Sequence, residues 1–294
     1  MKRFLLIYNP LSGNAYFKNE LDAAIRLFQR QQCLLIPART ESKEDTPRFV
    51  QLAEELKADG IIAAGGDGTL HEVINAMLEA ETALPLGIIP CGTSNDFATF
   101  LKISRDIEQC VQIICQGHWQ TIDVGLINNK YFINVACAGL LASVVHNTDT
   151  ALKNTLGKVA YYLKTLETIP YFRSLPIEIN ADGMVIKDDI LLFLVMNSGA
   201  AGGFPNLAPK ARLDDGKLDL LIVTRCNVTE FMRLLINLAT GNHTNHKNIT
   251  YLQARNITIT CDEMLESDLD GKRGPYLPLT LSVIPNRVKV FMPL

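Results

Sequence analysis

Short apolar runs alternate with helical patterns through the first part of this chain. Residues 4–8 form an unbroken apolar stretch that predicts a buried strand. Leu21, Ala24, Ile25 and Phe28 follow it at the spacing of one helical face. A second apolar run over 33–37 leads to Thr46-Pro47, which predicts an N-cap with proline at the first helical position, ahead of Val50, Ala53 and Leu56. The series continues with a strand over 61–64, a helix after Thr69, a strand over 86–89 and a helix carrying Ile107, Cys110, Val111 and Ile114. Alternation of this kind predicts a parallel sheet covered on both faces by helices.

The pattern changes near residue 120. Residues 121–135 hold two apolar segments joined by Asn128-Asn129, a tight hairpin turn, and Ala181-Asp182-Gly183 centres a second hairpin. Later strands are predicted over 190–196, 218–224, 257–260, 279–284 and 288–292. Helices are predicted over 151–169 and 228–240, the second capped by Asn227. The expected fold class is α/β, with an N-terminal parallel sheet flanked by helices and a second, β-rich sandwich domain. The boundary falls between domains at 1–122 and 123–294, with the C-terminal strand free to return to the first.

Composition narrows the class. At 294 residues, 48% hydrophobic and 20% charged, the chain has the make-up of a globular protein with a sizeable core. A net charge of −3 gives no electrostatic case for nucleic acid. The longest apolar run, over 190–196, falls well short of a membrane span. Lys2-Arg3 ahead of an apolar stretch resembles a signal peptide, but the stretch stops at Asn9-Pro10, so a buried strand is expected instead. The seven cysteines form no C-x-x-C pair, which predicts reduced core residues and a cytoplasmic location. His243 and His246 lie in a polar segment with no third ligand nearby, and a solvated loop is expected there rather than zinc.

The candidate chemistry centres on Ile61-Ile62-Ala63-Ala64-Gly65-Gly66-Asp67-Gly68-Thr69, where an apolar run feeds a glycine turn carrying one carboxylate. Leu70, Val73, Ile74, Met77 and Leu78 then fall on one helical face, and Thr69 with Glu72 matches a capping box. Strand, glycine turn and helix N-terminus together present backbone N–H groups and a positive dipole end to an anion. Asp67 repels a phosphate directly, so it is expected to meet one through Mg²⁺ or a polarised water. Two further loops, Asn9-Pro10-Leu11-Ser12-Gly13-Asn14 and Pro90-Cys91-Gly92-Thr93-Ser94-Asn95-Asp96, fall at the same strand ends. Each alone reads as an ordinary turn; their convergence predicts a nucleotide-phosphate site. There is no G-x-x-x-x-G-K-[ST] and no G-x-G-x-x-G after a strand. The glycine-aspartate-glycine turn is common to lipid kinases, NAD kinases and phosphofructokinases, and does not choose among them.

The second glycine loop does choose. Gly92-Thr93-Ser94-Asn95-Asp96-Phe97-Ala98, with the turn at Gly65 and the loop at Asn9, resembles the catalytic domain of diacylglycerol and sphingosine kinases, and most of all the bacterial soluble lipid kinases. The likeness continues through Ala211-Arg212-Leu213-Asp214-Asp215-Gly216-Lys217-Leu218-Asp219 and Leu269-Asp270-Gly271. It implies transfer of the terminal phosphoryl group of ATP to a lipid hydroxyl, diacylglycerol first among candidates. By matching motif, nucleotide contacts would fall on Asn9, Thr40, Gly65, Gly66, Asp67, Gly68, Thr69, Leu70, His71 and Thr93. Asp67 and Asp96 would hold ATP and its Mg²⁺, in a cleft between the two domains. The resemblance also implies a second, structural Mg²⁺ on Asp215 and the carbonyls of Arg212 and Lys217, although Asp214-Asp215-Gly216 by itself reads as a β-turn.

The chain departs from this family at one position. Relatives carry leucine-aspartate-glycine-glutamate, the glutamate removing the proton from the attacking hydroxyl; here Lys272 follows Leu269-Asp270-Gly271. An ammonium cannot accept that proton. Three readings stay open: Asp270 or Asp268 supplies the base, the reaction runs with weak base assistance, or the chain binds nucleotide or lipid and turns over poorly. NAD kinase is the enzymatic alternative, and a non-catalytic nucleotide- or lipid-binding relative the other. A lipid acceptor implies transient, peripheral membrane association. The stretch over 154–176 offers Leu156, Val159, Ala160, Leu163 and Leu166 on one face, followed by Tyr171, Phe172 and Arg173. An ordinary packed amphipathic helix is the simpler account of it. Homodimerisation is left open.

Overall fold

The computed structural model describes residues 1–13, 16–139, 173–240 and 243–293. They form two compact units, one of Met1–Asp123 with Pro285–Leu294 and one of Val124–Ile284. The 151–169 helix and most of the 154–176 stretch lie outside the described residues.

In the first unit, β1 (Lys2–Tyr8), β2 (Cys33–Arg39), β3 (Gly60–Gly65) and β4 (Leu86–Pro90) are all parallel, in the order β4-β3-β1-β2. The end of β15 (Leu279–Phe291) adds a parallel edge beside β4, with Val290 opposite Leu86. Every residue of β3 and β4 is buried, which is why these strands read as continuous apolar runs rather than alternating ones. Helix α1 (Tyr16–Arg30) packs on α5 (Ile107–Gln116), and α2 (Asp45–Glu55) packs on α3 (Asp67–Glu79). A short helix, α4 (Asp96–Phe100), follows β4 and has no sequence signal beyond the loop that starts it.

Two helix starts lie upstream of their predicted caps. Helix α3 begins at Asp67 with Gly66 at the N-cap, so Thr69 sits in the first turn instead of ahead of it. Its hydroxyl lies 3.3 Å from that of Ser12. Helix α2 begins at Asp45, and Thr46 is 2% exposed within it. The Asp45 carboxylate accepts from the backbone N–H groups of Glu41 and Ser42, closing the entry turn from inside the helix.

The second unit is antiparallel throughout. Its strands are β6 (Lys130–Phe132), β7 (Val135–Gly139), β8 (Leu175–Ala181), β9 (Met184–Met196), β10 (Leu218–Thr224), β11 (Ile249–Ala254), β12 (Asn256–Cys261), β13 (Glu266–Leu269) and β14 (Lys272–Tyr276). The tail of β5 (Trp119–Ile127) and the start of β15 complete it. Both predicted hairpins form: Asn128 joins β5 to β6 at φ +50°, and Asp182-Gly183 joins β8 to β9 with both residues at positive φ. Strand β9 changes partners along its length, pairing with β8 from Met184 to Ile190 and with β7 from Leu192 to Met196. The two strands predicted over 279–284 and 288–292 are one continuous strand, β15.

Period-two alternation divides the core of this unit. Phe193 and Val195 of β9 join Leu220 and Ile222 of β10 in a cluster shared with β8, β12 and β15. Leu192, Leu194 and Met196 point the other way, into a cluster closed by Phe231, Leu234, Leu235 and Leu238 of α6 (Val228–Thr240). Asn227 caps α6 as predicted: its side chain accepts from Glu230 N–H at 2.8 Å, and Glu230 accepts from Asn227 N–H at 3.3 Å. Replacing Asn227 by Ala is expected to cost about 1 kcal/mol in urea denaturation, and by Gly only a few tenths. Parent-like stability of Asn227→Ala would show that the cap contributes nothing.

Candidate functional site

In the first unit, the parallel strands end in three loops that touch one another. Asn9 follows β1, and its side chain accepts from Leu11 N–H at 2.9 Å, folding the first loop back on itself. Gly13, at φ +56°, lies so close to the third loop that a Cβ there would stand 1.7 Å from the Cys91 carbonyl oxygen. A Cβ on Gly92 would lie 2.4 Å from Gly66 Cα. The second and third loops therefore meet backbone to backbone, with Cys91 N–H donating to Gly65 carbonyl at 2.8 Å.

Asp67 joins the loops by a side chain. It opens α3, and its Oδ1 accepts from Phe97 N–H at 3.1 Å, across to α4. Asn95 holds the third loop shut, accepting from Gly92 N–H and donating to Gly92 carbonyl, both at 2.7 Å. It adopts the left-handed conformation that asparagine tolerates and that starts α4. A cavity of about 10 Å³, the room one water takes, lies among Gly66, Asp67 and Asn95. Over Gly68 there is open space: a Cβ built there meets nothing within 4 Å.

The remaining residues singled out from the sequence are distributed as follows. Thr40 lies beside Asn9, donating to the Tyr8 carbonyl through both N–H and hydroxyl. Asp96, which opens α4, and His71, just past the first turn of α3, are half-buried, and Thr93 is exposed. Leu70 is 5% exposed, so only its backbone is offered to the loop. Burial pushes the Cys91 thiol up to about 12, which leaves it a neutral packing group and no nucleophile. Arg105 gave no sequence signal, being a lone arginine; its guanidinium donates to the carbonyls of Thr93 and Ser94 at 3.1 and 2.9 Å, tying down the exposed arm of the third loop. Asp123 is also new: it is 1% exposed and accepts from Asn286 N–H at 2.8 Å. Chemically, the first-turn N–H groups of α3, the hydroxyls and the carboxylates of Asp67 and Asp96 suit a phosphate with its divalent cation.

In the second unit, Arg212, Asp214, Asp215 and Lys217 share one turn closed by Gly216 at φ +65°. Asp215 accepts from Lys217 N–H at 3.0 Å, and Arg212 pairs with Asp214 at 3.0 Å. Among the described residues there is no cluster of three His, Cys, Asp or Glu side chains fit for a metal. A set of one carboxylate and two carbonyls is a different kind of donor group. Close by, Asp219 is 1% exposed, hydrogen-bonded to Tyr251 hydroxyl and Gln253 amide. Burial raises its carboxyl above the usual range, against the pull of those bonds.

Asp270 and Gly271, both at positive φ, form the two-residue turn between β13 and β14. The Asp270 carboxylate accepts from Ile133, Asn134 and Val135 N–H at 2.8, 2.9 and 2.9 Å, fastening this turn to the start of β7. Asp268 is 3% exposed and accepts from Gly271 N–H at 2.8 Å. Lys272 starts β14, half-buried. Around them lies a buried polar group that the sequence did not announce: Ser198 hydroxyl bonds Asn134 at 2.6 Å and Asn197 donates to Ile133 carbonyl at 3.1 Å.

Among the described residues, no helix is long and apolar enough to cross a membrane. Residues 3–127 match the diacylglycerol kinase catalytic domain, and residues 134–292 match the YegS C-terminal NAD kinase beta sandwich-like domain. A diacylglycerol kinase of Bacillus subtilis (strain 168) is 37% identical over 294 residues, covering 100% of this chain and 97% of that protein. A diacylglycerol kinase of Staphylococcus aureus (strain NCTC 8325 / PS 47) is 37% identical over 292 residues, or 99% and 93% of the two chains. A solved structure from Bacillus anthracis str. Sterne superposes with a TM-score of 0.86 at 29% identity, covering 99% of this chain and 95% of that one. Another from the same organism, titled as a diacylglycerol kinase, gives 0.79 at 25% identity, with 99% and 97% covered. Full-length identity above a third, two domain matches in order and the same fold lead to one conclusion: this chain belongs to the diacylglycerol kinase family.

Proposed function

We propose that this protein transfers the terminal phosphoryl group of ATP to the hydroxyl of a diacylglycerol-like lipid, with Mg²⁺, at a membrane surface. The observation that carries the reading is the backbone meeting of Gly66 and Gly92 around the Asp67 carboxylate. That meeting leaves the first turn of α3 facing open space at Gly68. Phosphoryl transfer asks a protein for positioning and for neutralisation of charge more than for covalent chemistry. The α3 N–H groups, with Ser12, Thr69 and Thr93, would hold the phosphates, and Asn9, Thr40 and His71 would flank the nucleotide. Asp67 and Asp96 would hold Mg²⁺, which offsets charge on the transferring group. A second Mg²⁺ on Asp215 and the carbonyls of Arg212 and Lys217 would stiffen the turn before β10.

Removal of the acceptor's proton is the weak step. Asp270 serves as a backbone anchor through its three accepted bonds, and Asp268 is covered. Neither is presented as a mobile base, so the catalytic part first read for Asp270 becomes one of positioning. The kinase is therefore expected to be slow, with the loose transition state tolerating little base assistance. The name of the second domain raises NAD as an acceptor; the match of residues 3–127 to a diacylglycerol kinase domain favours the lipid.

Transfer of labelled phosphate from ATP to diacylglycerol in mixed micelles tests the reading, with NAD as a control acceptor. Asp67→Asn keeps an acceptor for Phe97 N–H while removing the charge, and is expected to lower transfer by about 100-fold or more. Transfer to NAD alone, or none to either acceptor, overturns the proposal. Gly92→Ala forces the loops apart and should reduce kcat/KM about 100-fold, with a stability loss of about 1–3 kcal/mol that leaves the protein folded at assay temperature. Parent-like activity there would mean that the loops do not cradle the nucleotide. Lys272→Glu is expected to raise kcat by about 100-fold, the usual contribution of a placed general base. An unchanged rate would show that position 272 takes no part in proton removal.

A further inference from the structure

The first unit has a second concavity, at the opposite end of its sheet from the phosphate loops. It encloses about 200 Å³. Leu84 lies just ahead of β4 and Arg287, Val288 and Lys289 lie within β15, where Val290 stands beside Leu86 at the start of β4. The glycine loops follow the other ends of these parallel strands. Met77, Leu84 and Val288 supply apolar wall, and Thr82 and Thr121 supply hydroxyls.

Its cations come from one strand, β15. Arg287 and Lys289 line it; the acids at its rim are Glu81, whose side chain is 82% exposed and meets Arg287 only at 3.9 Å, and Glu54, which accepts from the Thr82 hydroxyl. The C-terminal end of α3 also reaches the pocket, and a helix end of that polarity repels anions. Here its carbonyls are already taken: Thr82 N–H donates to Met77 carbonyl at 3.1 Å and Glu81 N–H to Leu78 carbonyl at 3.2 Å, with Glu81 at φ +50°. The Thr121 hydroxyl donates to Asn286 Oδ1 at 2.8 Å, which fixes the orientation of that amide. The Lys289 ammonium stands 4.7 Å from the Trp119 ring, and Trp119 is 43% exposed.

We propose that this pocket binds a small phosphate monoester through Arg287 and Lys289, with Thr121 and Asn286 on its polyol. Two cations at alternate positions of one strand, with Glu81 held only loosely and Glu54 turned to Thr82, suit a dianion, and guanidinium takes phosphate oxygens two at a time. The volume suits a molecule of the size of glycerol phosphate and falls below that of ordinary drug-sized pockets. A free phosphate ester and the headgroup of a phosphatidic acid share this chemistry.

Trp119 is the only tryptophan in the chain, so its fluorescence reports on Lys289 directly. The full-length protein is titrated with sn-glycerol 3-phosphate, with glycerol as the uncharged control. Vesicles of phosphatidylcholine, with and without phosphatidic acid, form the second arm. A saturable emission change with the phosphate ester and none with glycerol is expected, with Kd raised about tenfold or more in Arg287→Gln. A response to phosphatidic acid vesicles alone assigns the site to a lipid headgroup, and a response to the soluble ester alone assigns it to a free metabolite. Calorimetry of Lys289→Gln with sn-glycerol 3-phosphate removes dependence on the reporter, and weakened binding is expected there too. No saturable response in either arm, or one unchanged in Arg287→Gln, overturns the proposal.

Discussion

The candidate site depends on two main chains coming closer than any side chain would allow. Gly66 and Gly92 approach until the Cβ of an alanine at either would press on the other loop, at 3.1 Å from Gly92 Cα in one direction and 2.4 Å from Gly66 Cα in the other. A parallel sheet makes that approach natural, because neighbouring strands β3 and β4 end side by side and their exit loops leave in the same direction. Asp67 then bridges to the N–H of Phe97, and Asn95 closes the third loop on itself. Each bond holds a loop that has no regular structure of its own. The rigidity of the site is borrowed from the sheet beneath it.

The second unit solves a different problem with similar means. Its β13–β14 hairpin would be a weak pair alone, since β14 reads Lys-Arg-Gly-Pro-Tyr and has little to bury. Asp270 fastens it to the start of β7 through three main-chain bonds, and Asp268 closes the turn from within. A carboxylate that accepts several backbone N–H groups contributes geometry, and its preference for that state makes it a poor traveller toward a substrate. This is why an aspartate in the family motif and a base in the reaction need not be the same residue.

Much of the first unit was legible in the chain because its physics is local. Buried parallel strands are apolar on both sides, so β1, β3 and β4 announced themselves as runs, and helices with one apolar stripe followed them. The caps of α2 and α3 lie at Glu44 and Gly66, upstream of the expected Thr46 and Thr69, for a common reason. Threonine is a good cap in isolation, yet at both sites it is drawn into the helix, where it packs. The second unit was harder. Strands β7, β11, β13 and β14 lack a clean alternation, and Ser267 and Asp268 are buried polar residues that a pattern of apolar positions passes over. The Asp270-Gly271 turn carried a hairpin signal all the same. Arg105 was beyond reach because it binds backbone carbonyls and reads like any surface cation, and the pocket at Arg287 because it joins residues far apart in the chain.

The route of β15 sets an order of events. The strand that lies beside β4 is reached only after the whole of the second unit has been made. During synthesis, therefore, the early α/β segment emerges with the start of β4, at Leu86, lacking its later neighbour. Completion of that layer waits on residues near 290, so the early segment cannot close its sheet until the chain is nearly finished.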